Sequence, residues 1–120
     1  MTTILLLALG GAVGTVARFG IAEWFASMKW SDGFPWHTFA INAVGSFVLG
    51  ILAIACKDRP HLYLLLGTGF CGGFTTFSTF GVEVVNLLGE DRVGTAMGYA
   101  VGSVVVGVFG AWVGMKLMGK

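Results

Sequence analysis

A small bundle of membrane-spanning α-helices is the fold class this sequence predicts, on three observations. Hydrophobic residues make up 56% of the chain and charged residues only 11%, less than half of the roughly 25% that a soluble surface carries. A chain of 120 residues leaves about a third of its unfolded surface wet, and so few charges cannot cover it. The apolar residues also fall in four continuous stretches, each near or above the roughly 20 residues that cross about 30 Å of hydrocarbon. Finally, 20 glycines accompany only two prolines. Glycine among Leu, Val, Ala and Phe suits membrane helices, whose backbones approach closely over small residues. Collagen is excluded by the missing three-residue period, and disorder by the hydrophobicity.

The first stretch runs from about Ile4 to Phe25. No Lys or Arg precedes Ile4–Leu9, so it lacks the basic start of a cleaved signal peptide and reads as a span. A connection over 26–36 follows, around which Trp24, Trp30 and Trp36 form an expected interfacial belt. The second stretch runs from about His37 to Cys56 and the third from about Leu62 to Leu88, separated by Lys57-Asp58-Arg59-Pro60-His61. Gly89-Glu90-Asp91-Arg92 leads to the fourth, from about Val93 to Met118. In lipid only helices or closed barrels satisfy the backbone, and a barrel needs alternating strands of about 10 residues. Residues 1–120 therefore read as a single four-helix transmembrane domain with spans at about 4–25, 37–56, 62–88 and 93–118.

Within the third span, two glycines followed by two threonines predict a helix broken near Gly72–Thr76. Irregular backbone at that depth is tolerated around a cavity or a bound ion. Either a cation such as Na⁺ sits on the freed carbonyls, or Gly72-Gly73 simply packs closely against a neighbour. Gly67, Gly69 and Gly72 also spell G-x-G-x-x-G, the dinucleotide fingerprint. Its context, among four membrane-length runs, is not the soluble βαβ unit that the fingerprint requires.

Four spans place both termini and the second connection on one side, with Lys57, Arg59, Lys116 and Lys120. The other side carries Lys29 and Arg92, joined by Arg18 if that side chain reaches the interface. So small a difference orients a chain weakly; insertion both ways and one fixed orientation both remain open. Small-xxx-small pairs at Gly10/Gly14, Gly98/Gly102 and Gly110/Gly114 fit contacts within a subunit. Four helices line little of a pathway alone, which favours a homo-oligomer, most simply a twofold dimer.

A net charge of +1 gives no basic footprint for nucleic acid. Cys56 and Cys71 lie inside apolar runs and read as buried thiols, without metal-ligand spacing. No Ser-His-acid order, paired carboxylates or H-x-x-x-H spacing indicates an enzyme, and His37 and His61 sit at span edges. Polar residues inside spans are costly and mark function. Here they are Arg18, Asn42, Ser46, Glu83, Ser103 and the run from Thr75 to Phe80. All but Glu83 are hydrogen-bond donors or, at Phe77 and Phe80, ring edges carrying the positive end of the quadrupole. The set suits a small anion better than a cation. Ser46 and Ser103 can instead bond back to their own helix, whereas a mid-span amide at Asn42 needs a partner. Glu83 can carry a proton, pair with a hydroxyl or lie at a wet vestibule.

The stretch Gly10-Gly11-Ala12-Val13-Gly14-Thr15-Val16-Ala17-Arg18-Phe19 resembles the G-G-x-x-G-x-x-x-R opening of the Fluc (CrcB) fluoride-channel family. Thr38-Phe39-Ala40-Ile41-Asn42-Ala43-Val44-Gly45-Ser46-Phe47 is similar to its T-x-x-x-N-x-x-G-S-F block. The run from Gly69 to Phe80, GFCGGFTTFSTF, matches the family's most diagnostic motif. The resemblance covers the whole chain and implies an antiparallel, dual-topology homodimer with two fluoride pores in the cytoplasmic (inner) membrane of a prokaryotic-type cell. It implies that Asn42, Phe77 and Phe80 line the fluoride pathway, with Ser78 and Thr79 supplying hydroxyls nearby. Tyr99 and Ser103 match a polar track on the fourth helix, and Gly107 falls where the next hydroxyl of that track can occur. Glu83 matches an acidic position near one pore end, and Arg18 a position towards a vestibule. The backbone carbonyls of Gly72 and Thr75, from both subunits, are implied to hold a structural Na⁺.

The expected function is a passive fluoride channel that exports fluoride and relieves its toxicity. Its main rival is a small proton-coupled antiporter of the multidrug type, also four spans and able to insert both ways. That type needs a carboxylate deep in its first span, where this chain has only Glu23, near the end. A non-conducting scaffold has no use for the threonine-serine-phenylalanine run.

Overall fold

The computed structural model describes residues 1–29 and 33–119; Trp30 and Lys120, named above for the aromatic belt and the charges, lie outside them. Helix α1 spans Thr2–Ser27 and α2 spans Trp36–Ala55. The third segment, α3, opens with an α-helical turn at Pro60–Leu62, widens into a π-helix over Tyr63–Cys71 and ends with an α-helical turn at Gly72–Phe74. After a break, α4 spans Ser78–Gly89, and α5 spans Val93–Gly119. Three helices, α1, α2 and α5, are long and apolar enough to cross a membrane. The chain is an all-helical, multi-pass membrane protein. No strand precedes Gly67 among the described residues, so the glycine fingerprint, with Gly67 and Gly69 on the π-helix and Gly72 in the α-helical turn after it, has no βαβ context.

Burial runs opposite to that of a soluble protein. Of α1 only Gly10 and Gly14 are buried, and of α5 only Ala96, Tyr99 and Gly114. Leu5, Leu9, Val13, Val16 and Phe19 on α1 face outward, as do Val101, Val105, Val108 and Phe109 on α5. Backbone contact through glycine holds the pairs together. A Cβ on Gly10 would strike the carbonyl of Leu65, and one on Gly14 the carbonyl of Phe70, which locks α1 onto α3. Gly50 against Ala111 and Gly114 against Phe47 do the same for α2 and α5. Gly98 has nothing within 4 Å of its Cβ position and Gly102 meets only Phe39 at 3.8 Å. That small-xxx-small pair is thus not used for close packing inside the subunit. Cys56 and Cys71 are buried free thiols.

The break falls at the end of the expected Gly72–Thr76 window and is not made by the glycines. Gly72 is helical, with φ −62° and ψ −39°, whereas Thr75 is extended, with φ −87° and ψ 159°. Thr75 closes the first half: its N–H and its Oγ1 both donate to the Cys71 carbonyl, each at 2.9 Å. Thr76 opens the second half, its Oγ1 accepting from the N–H of Thr79 at 3.2 Å, a side-chain cap on the first turn of α4.

Candidate functional site

Helices α2 and α5 run side by side, and their polar residues recur every fourth position, one face of each helix. On α2 these are Thr38, Asn42 and Ser46; on α5, Tyr99 and Ser103, followed by Gly107. Helix α4 and the break supply Glu83, Phe80 and Phe77.

At one end Glu83 is held by donors from two other helices. Thr38 Oγ1 donates to Oε2 at 2.9 Å, Tyr99 OH donates to Oε1 at 2.7 Å, and His37 Nε2 lies 3.3 Å from Oε2. Of the alternatives open for Glu83, the structure shows pairing with neighbouring hydroxyls. Tyr99 is wholly buried, its ring packed against Phe34 at 5.2 Å and Phe80 at 4.9 Å between centroids. Replacing Tyr99 with phenylalanine keeps those ring contacts and removes one bond to a carboxyl group. A loss of about 1–3 kcal/mol is expected, read as a fall of roughly 5 °C or more in the melting midpoint of the detergent-solubilised protein.

One level along, Asn42 binds the break. Its Nδ2 donates to the Thr76 carbonyl at 2.9 Å and its Oδ1 accepts from the Thr76 N–H at 2.8 Å. Two-point pairing fixes which amide atom is which, and leaves the second N–H of Nδ2 uncommitted in these two bonds. A mid-span amide thus finds its partners in the two peptide groups that flank Thr76, at the break between the half-helices.

Asn42 and Thr76 line an open cavity of about 260 Å³ together with Phe77, Phe80, Ser103 and, deeper along the track, Ser46 and Gly107. Ser103 Oγ is buried without a hydrogen-bond partner among the described residues. Back-bonding to its own helix, the alternative for this serine, is absent. Phe77 is 83% exposed on the rim, its ring 5.8 Å from that of Phe80. Rings of Phe77, Phe80 and Tyr99 therefore lead from the cavity towards Glu83. The walls offer amide, hydroxyl and ring-edge donors, with neither a cation nor a carboxylate among them.

Ser78 and Thr79 form the first turn of α4 and are not among the residues lining the cavity. Arg18, half-buried on α1, donates from Nε to the Gly73 carbonyl at 3.0 Å, at the C-terminal end of the first half-helix where a cation is favoured. Of the last four carbonyls of α3, which lack helical partners, those of Cys71 and Gly73 are thus engaged. Gly72 is exposed, with nothing within 4 Å of its Cβ position. Thr38 and His37 are site residues that sequence reasoning did not single out; for Thr38 the signal was its position four residues before Asn42.

The family model described as CrcB-like protein, Camphor Resistance (CrcB), matches residues 5–115. The chain belongs to the CrcB family. Among its relatives, the fluoride-specific ion channel FluC of Methylobacillus flagellatus is 43% identical over 98% of this chain and 95% of its own length. FluC 2 of Rhodococcus jostii is 44% identical, covering 96% and 97% of the two chains. FluC of Thermus thermophilus is 41% identical, covering 96% and 92%. These relatives are matched over 92–97% of their own length, and the break, the cavity and the Glu83 cluster all lie within residues 5–115 that the family model matches.

Proposed function

We propose that this chain forms a fluoride-selective, passively conducting channel that exports fluoride across the cytoplasmic membrane and so relieves its toxicity. The observation that carries the reading is the buried hydroxyl of Ser103, without a partner among the described residues, at a cavity whose polar lining from Asn42, Ser46, Thr75 and Thr76 is set among apolar side chains. Fluoride is small and strongly hydrated, and a pore must replace that water with donors at close quarters. The spare N–H of Asn42, the Ser103 hydroxyl and the edges of Phe77 and Phe80 supply them. The N-terminus of the half-helix α4, with its positive dipole end, adds to the attraction. No fixed cation lines the cavity to hold the ion and stop conduction. The names of the FluC relatives point to the same ion.

In this reading Asn42, Phe77, Phe80 and Ser103 contact fluoride, and Tyr99 and Glu83 mark one end of the pathway. Ser78 and Thr79 add hydroxyls at the start of α4, and Arg18 attracts anions besides holding Gly73. The open cavity and the bare Phe77 ring call for a cover, which a second copy provides in an antiparallel, dual-topology homodimer of four spans per subunit with two pores. The carbonyls of Gly72 and Thr75 suit a structural Na⁺, being hard oxygen donors beside the end of a broken helix. One subunit offers too few of them, so both copies would contribute. Bound there, the ion would supply a fixed positive charge.

The antiporter reading fares worse. Glu83 is tied to Thr38 and Tyr99, and Glu23 lies with Lys29 and His37 around a cavity at the end of α1. Expression in cells that lack fluoride export tests the proposal. Growth in millimolar fluoride is expected with the wild-type chain, and no rescue despite membrane expression would contradict it.

A further inference from the structure

The polar stripe of α5 stops short. Tyr99 and Ser103 recur four residues apart, and the next position on that face is Gly107, which has no side chain. Yet Gly107 lines the same cavity as Asn42 and Ser103, and so does Ser46 of α2, one turn beyond Asn42. A Cβ built on Gly107 would lie 3.6 Å from Ser46 Oγ. The hydroxyl of the neighbouring helix therefore borders, in ordinary van der Waals contact, the space that a residue 107 side chain would enter. The level is about 6 Å, four residues of helical rise, from that of Asn42 and Ser103.

We propose that Ser46 is a fluoride-contacting residue of this channel, the donor that replaces the missing side chain at position 107. The inference rests on the channel reading and extends it by one binding level supplied from α2. An ion leaving the Asn42–Ser103 level meets Ser46 before it reaches an apolar stretch, Leu49 being the next residue of α2 on the cavity wall. Without that hydroxyl the ion would have to cross the gap having shed water and gained nothing in return.

The test is a transplant. Wild type, Ser46→Ala, and the double variant Ser46→Ala/Gly107→Ser are reconstituted into liposomes, and valinomycin-dependent fluoride efflux is followed with an electrode. Ser46→Ala is expected to slow efflux about tenfold, the loss of one donor to an ion. Returning a hydroxyl from α5 in the double variant is expected to restore efflux to within about twofold of wild type. The 3.6 Å spacing is ordinary van der Waals contact, so residue 107 has room for the new side chain. Wild-type rates in Ser46→Ala, or no recovery in the double variant, would overturn the role of Ser46 and leave the channel intact. Failure of Ser46→Ala to assemble, judged by its elution in detergent, would make the hydroxyl structural and equally overturn the proposal. An inactive wild type would instead contradict the channel reading.

Discussion

Asn42→Asp is expected to abolish fluoride flux, with a fall of more than a hundredfold, while the protein still reaches the membrane. Two effects act together. The carboxylate keeps an acceptor for the Thr76 N–H but has no donor for the Thr76 carbonyl, now 2.9 Å from an oxygen that repels it. It also places a negative charge in the wall of the cavity that the proposed fluoride pathway crosses. Two like charges about 4 Å apart at an effective dielectric near 20 repel by roughly 4 kcal/mol, which by itself exceeds a hundredfold in rate. Efflux from proteoliposomes at equal protein content measures it. Retained flux in this variant would remove Asn42 from the pathway.

Gly14→Ala carries the largest expected loss of stability. Its Cβ would run into the carbonyl of Phe70, with the N–H of Phe74 3.0 Å away. Both are backbone atoms of the half-helix that ends at the break, so neither can yield as a side-chain tip could. Overpacking of this kind costs about 1–3 kcal/mol, and here the upper part of that range applies. Gly20→Ala on the same helix is the control, since nothing lies within 4 Å of its Cβ position. Thermal denaturation in detergent, followed by loss of the monodisperse peak, is expected to separate the two by about 10 °C or more. Equal midpoints would show that α1 and α3 are not held by backbone contact at Gly14.

The apolar stretches, the glycine content and the doublets Gly72-Gly73 and Thr75-Thr76 were enough to expect a bundle with a broken helix. They did not place the break, because it is set by a pairing between residues 34 apart, Asn42 and Thr76, and local propensity carries no trace of it. Glycine spacing alone treated Gly10/Gly14 and Gly98/Gly102 alike. Only packing distinguishes a pair jammed against a backbone from a pair with open space beside it. The same holds for serine: back-bonding was the ordinary expectation for Ser103, and the orientation that leaves its hydroxyl partnerless is a property of the assembled helices. Glu83 read as a proton carrier, a paired group or a vestibule residue, and its two hydroxyl donors settle the pairing. Those donors come from α2 and α5, whose register relative to α4 the linear sequence does not contain.

The polar groups around the cavity divide between holding and offering. Glu83, Arg18 and Thr76 are tied down by protein groups, while Ser103 and part of Asn42 are left to offer hydrogen bonds to something else. Buried donors without partners are expensive, and in the proposed pathway their expense would be offset when an anion passes.

Fluoride efflux from liposomes holding the purified wild-type protein is the most direct test of that claim. The vesicles are loaded with potassium fluoride, valinomycin carries the compensating charge, and chloride-loaded vesicles run in parallel. Rapid fluoride efflux that requires valinomycin, with chloride retained, is the predicted result. Efflux that proceeds without valinomycin and follows an imposed proton gradient, or no fluoride efflux from correctly assembled protein, would contradict it.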